Sequence, residues 1–357
     1  LQHGPVLRAA LLRLQEDEHV LVVVMHHIAS DGWSAGVLTR EFTQLYEDYT
    51  HGQPAALAEL QIQYADYAAW QRQWLTGAVL DEQLSYWREQ LAEVAALELP
   101  TDRVRPAVAS HRGGSVGLRL SEELTQQLRR LSQQQGVTLF MTLLAAFKVV
   151  LSRHSGQREV VIGTDVANRN RQETEPLIGF FVNQLVLRTD LSGELTVKEL
   201  LARVRETTLG AYAHQDLPFE KLVQELVHNR DLSRSPLFQV KLVYQNVPQN
   251  ELQVAGINVS GFSADYQYAK YDLTITLFEG KGIVSGWAEY AADLYERSTI
   301  ERLLTEFQLL LERITADVEI SINDLRLFEA SQEMDDLRYL EQQAFKVGRR
   351  RVVSPVA

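Results

Sequence analysis

The sequence has 357 residues, 45% of them hydrophobic, and a formal net charge of -12. This length and hydrophobic content predict two lobes rather than one compact domain, and the negative charge gives no electrostatic support for a nucleic-acid partner. The sequence contains no cysteine, which excludes disulfides, a cysteine nucleophile and cysteine metal ligands. Its aliphatic runs are shorter than the ~20 residues of a membrane helix, so we expect a cytoplasmic protein without a membrane partner.

The first fifty residues predict a strand, a polar turn and a helix. The β-branched run at residues 20–25 is typical of a buried strand. Apolar residues then recur at three- and four-residue steps from Val37 to Tyr49, a helical pattern that ends at His51-Gly52. The polar turn at residues 26–34 is therefore expected next to the outward-pointing N–H groups of a helix N-terminus.

The rest of the chain predicts a mixed α/β order. Two aromatic-rich helices are expected near residues 62–75 and 80–96, followed by a linker at 99–106 that contains proline and charged residues. The remaining predicted strands are 117–120, 159–163, 182–189, 238–244, 271–278 and 283–290, and the helices are 122–135, 139–154, 197–212, 219–227 and 299–316. We assign residues 1–100 and 101–327 to two lobes and 328–357 to a linker towards a following domain.

The polar turn is the densest candidate for chemistry. It contains His26, His27, Asp31, Gly32 and Ser34. Adjacent histidines on an extended chain point to opposite sides, so no metal site is expected, and Ser34 lacks the Gly-x-Ser-x-Gly elbow of a serine hydrolase. A histidine acting as general base, oriented by Asp31, fits the chemistry of imidazole. The alternative is that His26 and Asp31 only stiffen the turn, and spacing alone leaves His27 open between the two.

The turn resembles the His-His-x-x-x-Asp-Gly signature of the condensation-domain superfamily of nonribosomal peptide synthetases, which is related to chloramphenicol acetyltransferase. Four downstream segments match the family in order. These are residues 138–147, residues 161–183 with Asn168-Arg-Asn170 and Ile178-Gly-Phe-Phe-Val-Asn183, residues 213–222 and residues 230–237. The resemblance extends from about Leu7 to Leu327.

The resemblance implies two acetyltransferase-like lobes in a V around a central tunnel. It implies formation of an amide bond between a donor acyl or peptidyl thioester and an acceptor aminoacyl thioester. Both would arrive on the phosphopantetheine arms of upstream and downstream peptidyl carrier domains, beside an adenylation domain, with no cofactor bound in this chain. When the roles of the family's residues are transferred to this sequence one by one, His27 is the catalytic or amine-positioning group. Gly32 offers its backbone N–H to the reacting centre. His26, Asp31 and Ser34 are structural, and Trp33 and Asn183 line the tunnel.

Two further expectations follow from the resemblance. The histidine pair argues against the heterocyclising subtype, and residues 32–38 are most similar to elongation members that take an L-configured donor. The Gln-x-Arg-x-Trp helix and the Arg-His-Glu segment that open the family do not occur in the sequence. We therefore expect a truncated first lobe in which the arginine partner of Asp31 is missing and Asp31 is an unpaired buried charge.

Two other classes of function remain open. A free-standing CoA-dependent acyltransferase of the same superfamily would share the motif of the polar turn. A non-catalytic domain that only docks carrier domains would share the fold without needing His27.

Overall fold

The computed structural model describes residues 4–228, 231–245, 256–261 and 267–326. The predicted linker at 328–357 lies outside the described residues. The chain forms two compact units. Unit 1 contains Leu1–Gln83, Val166–Asn183 and Val247–Ala264, and unit 2 contains Leu84–Asp165, Gln184–Asn246 and Asp265–Ala357. Each unit is thus built from three separate stretches of the chain. The predicted division at residue 100 gave two continuous lobes and did not include this alternation.

Unit 1 begins with a two-stranded antiparallel hairpin. Strands β1 (Leu7–Arg13) and β2 (His19–Met25) pair along their whole length. Helices α1 (Gly32–Thr50) and α2 (Tyr64–Trp74) follow, and α3 (Gly77–Gln90) runs from unit 1 into unit 2. The aromatic helices predicted from the sequence are present, although α3 ends six residues before the expected residue 96.

The burial predicted for the first strand is wrong. β2 contains the β-branched run, but it is largely exposed, and β1 is absent from the sequence prediction. Leu11 and Val24 are 66% and 60% exposed. Among the described residues the two strands pair only with each other, and no residue of either strand is buried. A β-branched run specifies an extended backbone and does not by itself specify what packs against it.

Unit 2 is built on a six-stranded mixed sheet in the order β3-β8-β7-β6-β4-β5. Its strands are β3 (Gly113–Arg119), β4 (Glu159–Val166, whose last residue is grouped with unit 1), β5 (Asn183–Asp190, whose first residue is grouped with unit 1), β6 (Val240–Gln245), β7 (Leu273–Gly280) and β8 (Ile283–Ala291). Its helices are α4 (Glu122–Gln134), α5 (Leu139–Ser155), α6 (Val197–Ala213), α7 (Phe219–Leu226) and α8 (Arg297–Ala316). β6 is parallel to β4 and β7, whereas β8 is antiparallel to β7 and β3. This arrangement confirms the predicted mixed α/β class.

The two faces of this sheet differ in polarity because side chains alternate along each strand. One row across four strands is apolar and buried: Leu242, Ile275, Ala288 and Val116. Helices α4 and α8 contact the sheet at β8 and β3. The neighbouring row points to the opposite face and consists of Lys241, Thr274, Glu289 and Ser115. We call these four residues the polar row.

Two helices of unit 2 begin at residues whose side-chain hydroxyl groups cap them. The Ser121 hydroxyl accepts a hydrogen bond from the Leu124 N–H at 3.1 Å, and Thr138 accepts one from Met141 at 3.2 Å. Gly156 ends α5 with a left-handed φ of 70°, a conformation that glycine adopts without steric cost. Within the described ranges, no single helix is long and apolar enough to span a membrane; only the bent pair α4–α5 passes that test, by length and composition alone.

Helix α5 is buried from Phe140 to Leu151, and this stretch includes Lys148. The Lys148 Nζ donates hydrogen bonds to the carbonyl oxygens of Val160 at 3.1 Å and Leu187 at 2.6 Å. These carbonyls belong to the neighbouring strands β4 and β5, so the amine links the helix to both. Complete burial lowers the pKa of Lys148 well below its usual value of 10.5.

Replacing Lys148 with methionine removes the titrating group and keeps most of the side-chain length. Between the lowered folded pKa and 10.5, the unfolded chain binds more protons at this position than the folded chain. The free energy of unfolding of the wild type should therefore rise with pH in that window relative to Lys148→Met. Urea unfolding between pH 7 and pH 10 measures the two slopes, with Lys198→Met as an exposed control. Equal slopes in wild type and Lys148→Met would contradict the lowered pKa.

Candidate active site

The loop between β2 and α1 is a single 3-10 turn followed by a helix start. The turn spans His27–Ala29, and the His26 Nδ1 accepts a hydrogen bond from the Ile28 N–H at 3.0 Å. The backbone N–H of His26 donates to the Val6 carbonyl at 2.7 Å. His26 therefore makes the turn-stabilising contacts that a structural role requires.

The ring of His27 is held in one orientation by its own loop. Its Nδ1 lies 2.6 Å from the carbonyl oxygen of Ser30. Because a carbonyl oxygen can only accept, Nδ1 must carry the hydrogen, and the neutral ring then has its lone pair on Nε2. The ring also meets the Phe180 ring edge to face, with centroids 5.2 Å apart. His27 is exposed, so a ligand can reach Nε2. The contact of Nδ1 with Ser30 makes Nε2 a proton acceptor in a fixed orientation.

Asp31 is the N-cap of α1 and is almost entirely buried. Its Oδ1 accepts a hydrogen bond from the Ser34 N–H at 2.8 Å, which satisfies one of the free donors of the first helical turn. Its Oδ2 accepts from the backbone N–H groups of Phe181 at 3.0 Å and Val182 at 3.2 Å. Phe181 and Val182 belong to Val166–Asn183, which we call the crossover segment. One carboxylate thus joins the loop to a distant part of the chain.

The expectation that Asp31 lacks an arginine partner is wrong. The Nη2 of Arg169 lies 3.1 Å from the Asp31 Oδ1, and the two side chains are 1% and 2% exposed. The Nη1 of Arg169 donates to the carbonyls of Thr174 and Leu177. Arg169 follows Asn168, which has a left-handed φ of 51°. Asparagine tolerates that conformation better than most residues.

Ser34 and Trp33 also contact the crossover segment. The Ser34 hydroxyl is fully buried and lies within 3.1 Å of Asp31, Arg169 and both backbone groups of Gly179. That position suits a structural hydroxyl, in agreement with the missing hydrolase elbow. The Trp33 Nε1 donates to the Glu175 carbonyl at 2.9 Å. Asn183, the other residue assigned to a tunnel, is buried at the start of β5.

An aromatic cluster holds the crossover segment in place. Tyr67, Leu177 and Phe181 form a buried core against which Tyr64 packs, and the Tyr64 hydroxyl donates to the Phe180 carbonyl at 2.8 Å. Phe180 is the residue whose ring meets His27. The aromatic residues of α2 therefore support the backbone next to the histidine.

The electrostatics of the loop favour a charged Asp31. Burial raises the pKa of Asp31, but the hydrogen bonds from Ser34 and Phe181 and the charge of Arg169 outweigh it, so the pKa lies below the usual value of 3.8. Burial lowers the pKa of Arg169 and the charge of Asp31 opposes that change. The guanidinium stays protonated near neutral pH because free arginine titrates above ~12.

Gly32 is the first residue of α1 and is exposed. A Cβ atom built on it would meet no heavy atom within 4 Å, and its φ is outside the left-handed region. The backbone conformation at this position therefore does not require glycine. The absence of a side chain leaves open space beside the Gly32 N–H. This N–H lies in the first turn of α1, where backbone N–H groups have no acceptor within the helix. Among the residues that the structure describes, no group of three or more His, Cys, Asp or Glu side chains could hold a metal ion.

The family model "Condensation domain" matches residues 1–337. The chain belongs to the condensation-domain family. This condensation domain is 53% identical over 335 residues to a linear gramicidin synthase of Brevibacillus parabrevis, a match that covers 93% of the chain. It is 48% identical over 320 residues to malpinin synthetase of Mortierella alpina, covering 89% of the chain. The chain spans only 6% and 4% of the lengths of these two relatives.

Solved structures give the same family fold. The crystal structure of the X-domain from teicoplanin biosynthesis is similar to this condensation domain with a TM-score of 0.83 and 31% identity, covering 91% of this chain and 75% of that one. A holo four-domain nonribosomal peptide synthetase bound to AMP and glycine gives a TM-score of 0.79 at 24% identity, covering 92% and 26% of the two chains. The condensation-domain fold class expected from the resemblance, with its mixed α/β composition, is thereby confirmed.

Arg169→Met tests the buried ion pair. It leaves the Asp31 carboxylate without its counter-charge, and we expect a loss of about 3–5 kcal/mol in the free energy of unfolding, the range for breaking a buried pair on one side. Arg171→Met is the matched control. The Arg171 guanidinium lies over the Trp70 ring at 4.3 Å, a contact worth about 1 kcal/mol at an exposed site. Equal losses in the two variants, measured by urea unfolding, would contradict the importance of the pair.

The Asp31→Asn variant tests the direction of the pKa shift of Asp31. Because the folded pKa of Asp31 is below 3.8, the stabilisation is present above that pH and is lost as the pH falls through the folded pKa. The difference in unfolding free energy between wild type and Asp31→Asn should shrink towards pH 3 in a chemical denaturation series from pH 7. A difference that grows on acidification is incompatible with a lowered pKa.

Proposed function

We propose that this condensation domain forms a peptide bond between two carrier-bound thioesters. The donor is an acyl or peptidyl thioester, with an L-configured terminal residue, and the acceptor is an aminoacyl thioester. Both are carried on the phosphopantetheine arms of an upstream and a downstream carrier domain, and an adenylation domain adjoins the downstream one. The proposal is supported by membership of the family and by relatives that are named as synthases of gramicidin and malpinin.

The observation that carries the proposal is the orientation of His27. With its Nδ1 hydrogen given to Ser30 at 2.6 Å, its Nε2 is left to accept a proton or a hydrogen bond from an amine. An α-amine has a pKa of ~8 and is partly neutral already near pH 7. The imidazole is therefore required chiefly to orient the amine and to receive its proton once the C–N bond begins to form.

The reaction balances without a further reagent. The acceptor nitrogen attacks the thioester carbonyl carbon, the C–N bond forms, and the C–S bond of the donor breaks. One amine proton passes to the His27 Nε2 and then to the leaving thiolate. Holding two tethered reactants in line supplies much of the acceleration, on the order of 7–11 kcal/mol in well-oriented cases. No covalent enzyme intermediate is needed.

Gly32 is the second residue to which we assign a catalytic contact. Its N–H belongs to the first turn of α1, where the helix leaves backbone donors unused and the partial charge is positive. A carbonyl oxygen that gains negative charge during attack is stabilised by such a donor. The open space above the Gly32 Cα provides room for the thioester to approach.

One rival function is favoured by a specific comparison. The X-domain of teicoplanin biosynthesis, 31% identical to this chain, has been solved in a complex with OxyB. A domain of this fold can therefore bind another protein, and docking without catalysis is the second candidate. The polar turn with His27 favours catalysis. A CoA-dependent acyltransferase would differ by accepting an acyl-CoA in place of the donor carrier.

Replacing His27 with alanine is the decisive test. We expect a loss of ~10²-fold or more in the single-turnover rate of condensation, because both the proton acceptor and the orienting group are removed. The rate is followed by mass spectrometry of the acceptor carrier, with a series of loaded donor and acceptor carriers. His51→Ala is the matched control, since the His51 Nδ1 likewise lies 2.7 Å from a backbone carbonyl, at the other end of α1. Unchanged condensation by His27→Ala would contradict the catalytic role of His27 and favour a purely structural role for the turn, whereas no condensation by the wild-type domain would favour docking.

Gly32→Ala separates function from stability at the same loop. A methyl group meets no protein atom there, and alanine is the better helix former by up to about 1 kcal/mol. The free energy of unfolding should therefore stay equal or rise, whereas the condensation rate should fall because the methyl group fills the space assigned to the thioester. A variant that is both stable and fully active would remove Gly32 from the catalytic contacts.

A further inference from the structure

The hydrogen bond from His27 to its own loop does not fix the whole imidazole ring. The contact of Nδ1 with the Ser30 carbonyl at 2.6 Å holds one ring atom, but a carbonyl oxygen accepts hydrogen bonds over a broad range of directions. The ring is exposed, and the loop that carries it follows a ribbon in which no residue is buried. A second contact, away from the line between Nδ1 and the carbonyl, is therefore needed to keep Nε2 pointing in one direction.

The Phe180 ring supplies this second contact. Its centroid lies 5.2 Å from that of the His27 ring, and the two ring planes meet at 88°. Aromatic rings favour this perpendicular arrangement, so the contact weakens when either ring swings away. Phe180 is half-buried whereas His27 is exposed, and the phenylalanine is therefore the more restrained of the two rings.

The backbone that carries this phenylalanine is hydrogen-bonded at three consecutive residues. Its own carbonyl accepts from the Tyr64 hydroxyl at 2.8 Å. On one side the Gly179 N–H donates to the Ser34 hydroxyl at 3.1 Å. On the other side the Phe181 N–H donates to the Asp31 Oδ2 at 3.0 Å. These groups all belong to unit 1, as does His27, so the contact with the histidine starts from a fixed support.

Tyr64 fits this support by its shape as well as by its hydroxyl. A Cβ atom built on the buried Gly179 would lie 2.2 Å from the Tyr64 Cδ2, so the absence of a side chain lets the tyrosine ring lie against the backbone. Burial and the charge of Asp31 raise the pKa of Tyr64, which keeps its hydroxyl protonated as a donor. A chain of contacts thus runs from Tyr64 through Phe180 to His27.

We propose that Phe180, supported by Tyr64, is a positioning residue that holds the His27 ring with its hydrogen on Nδ1 and its lone pair on Nε2. When the ring swings away, the hydrogen bond to Ser30 is lost and either nitrogen can carry the hydrogen. The other tautomer presents an N–H instead of a lone pair to the amine. The effect on condensation rests on the function proposed above, whereas the orientation of the ring does not.

The first measurement requires no turnover. In protein with ¹⁵N-labelled histidine at pH 9, where free imidazole is neutral, the chemical shifts of the two ring nitrogens of His27 differ most for a single tautomer and converge when both tautomers exchange. We expect them to converge in Phe180→Leu and, to a smaller extent, in Tyr64→Phe, which removes only the hydrogen bond to the Phe180 carbonyl. The spectrum of His27→Ala identifies the signals. Tyr64→Phe keeps both aromatic rings, so the test does not depend on the folding of Phe180→Leu.

The second measurement is the single-turnover rate of condensation with saturating loaded carriers. We expect Phe180→Leu to lower this rate ~10-fold, because a small misplacement of a catalytic group costs up to ~10²-fold. The carrier concentration that gives half of the maximal rate should stay the same. In a His27→Ala background, Phe180→Leu should cause no further loss, because residues that act through one group are not additive.

The matched control is Phe42→Leu. Phe42 is 42% exposed and stacks on Tyr46 with centroids 6.4 Å apart, so the variant also loses a contact between rings and should change neither the rate nor the His27 shifts. Unchanged His27 shifts in both Phe180→Leu and Tyr64→Phe would overturn the inference. An equal further loss of rate in the His27→Ala background would also overturn it, since Phe180 would then act on the substrate directly. Full condensation by His27→Ala would instead refute the proposed function, and the shifts would still decide whether Phe180 orients the ring.

Discussion

The Asp31–Arg169 ion pair is the interaction on which the arrangement of the loop depends. It joins two segments of unit 1 that are 138 residues apart in sequence. Asp31 also accepts backbone hydrogen bonds at the start of α1 and from the crossover segment. Each carboxylate oxygen therefore has partners, which is the condition under which a buried charge is tolerated. Because Phe180 lies in the segment held this way, the ring that faces His27 is fixed by the same contacts.

Local sequence patterns predict the helices and strands of unit 2. They do not predict contacts between residues that are far apart in the sequence. The Thr138 cap and the long apolar stretch after it are signals carried by neighbouring residues, and α5 begins where they place it. Arg169 carries no such signal, because nothing around it in sequence shows that a carboxylate 138 residues earlier is its partner. The sequence prediction therefore lacks this ion pair, although it includes the motif Asn168-Arg-Asn170.

The candidate site could be predicted in its residues and not in its geometry. The spacing of His26, His27 and Asp31 leaves the tautomer of His27 open, since the hydrogen on Nδ1 is decided by the position of the Ser30 carbonyl. The role of Gly32 is likewise open, because only the structure reveals that the space above it is empty. The prediction of a buried β2 is wrong for a related reason. A β-branched composition indicates a strand that packs well beneath another layer, but it does not show that such a layer is present.

The hairpin of β1 and β2 has a consequence for dynamics. A two-stranded ribbon is at best marginally stable in water, and this one has large apolar side chains exposed on both strands. Its backbone amides should therefore exchange with deuterium long before those of β6 and β7, which lie in the interior of the six-stranded sheet. The His26 N–H is hydrogen-bonded to the Val6 carbonyl at the base of the ribbon. Each opening of the ribbon would therefore loosen the N-terminal end of the histidine turn, while Asp31 keeps the C-terminal end in place.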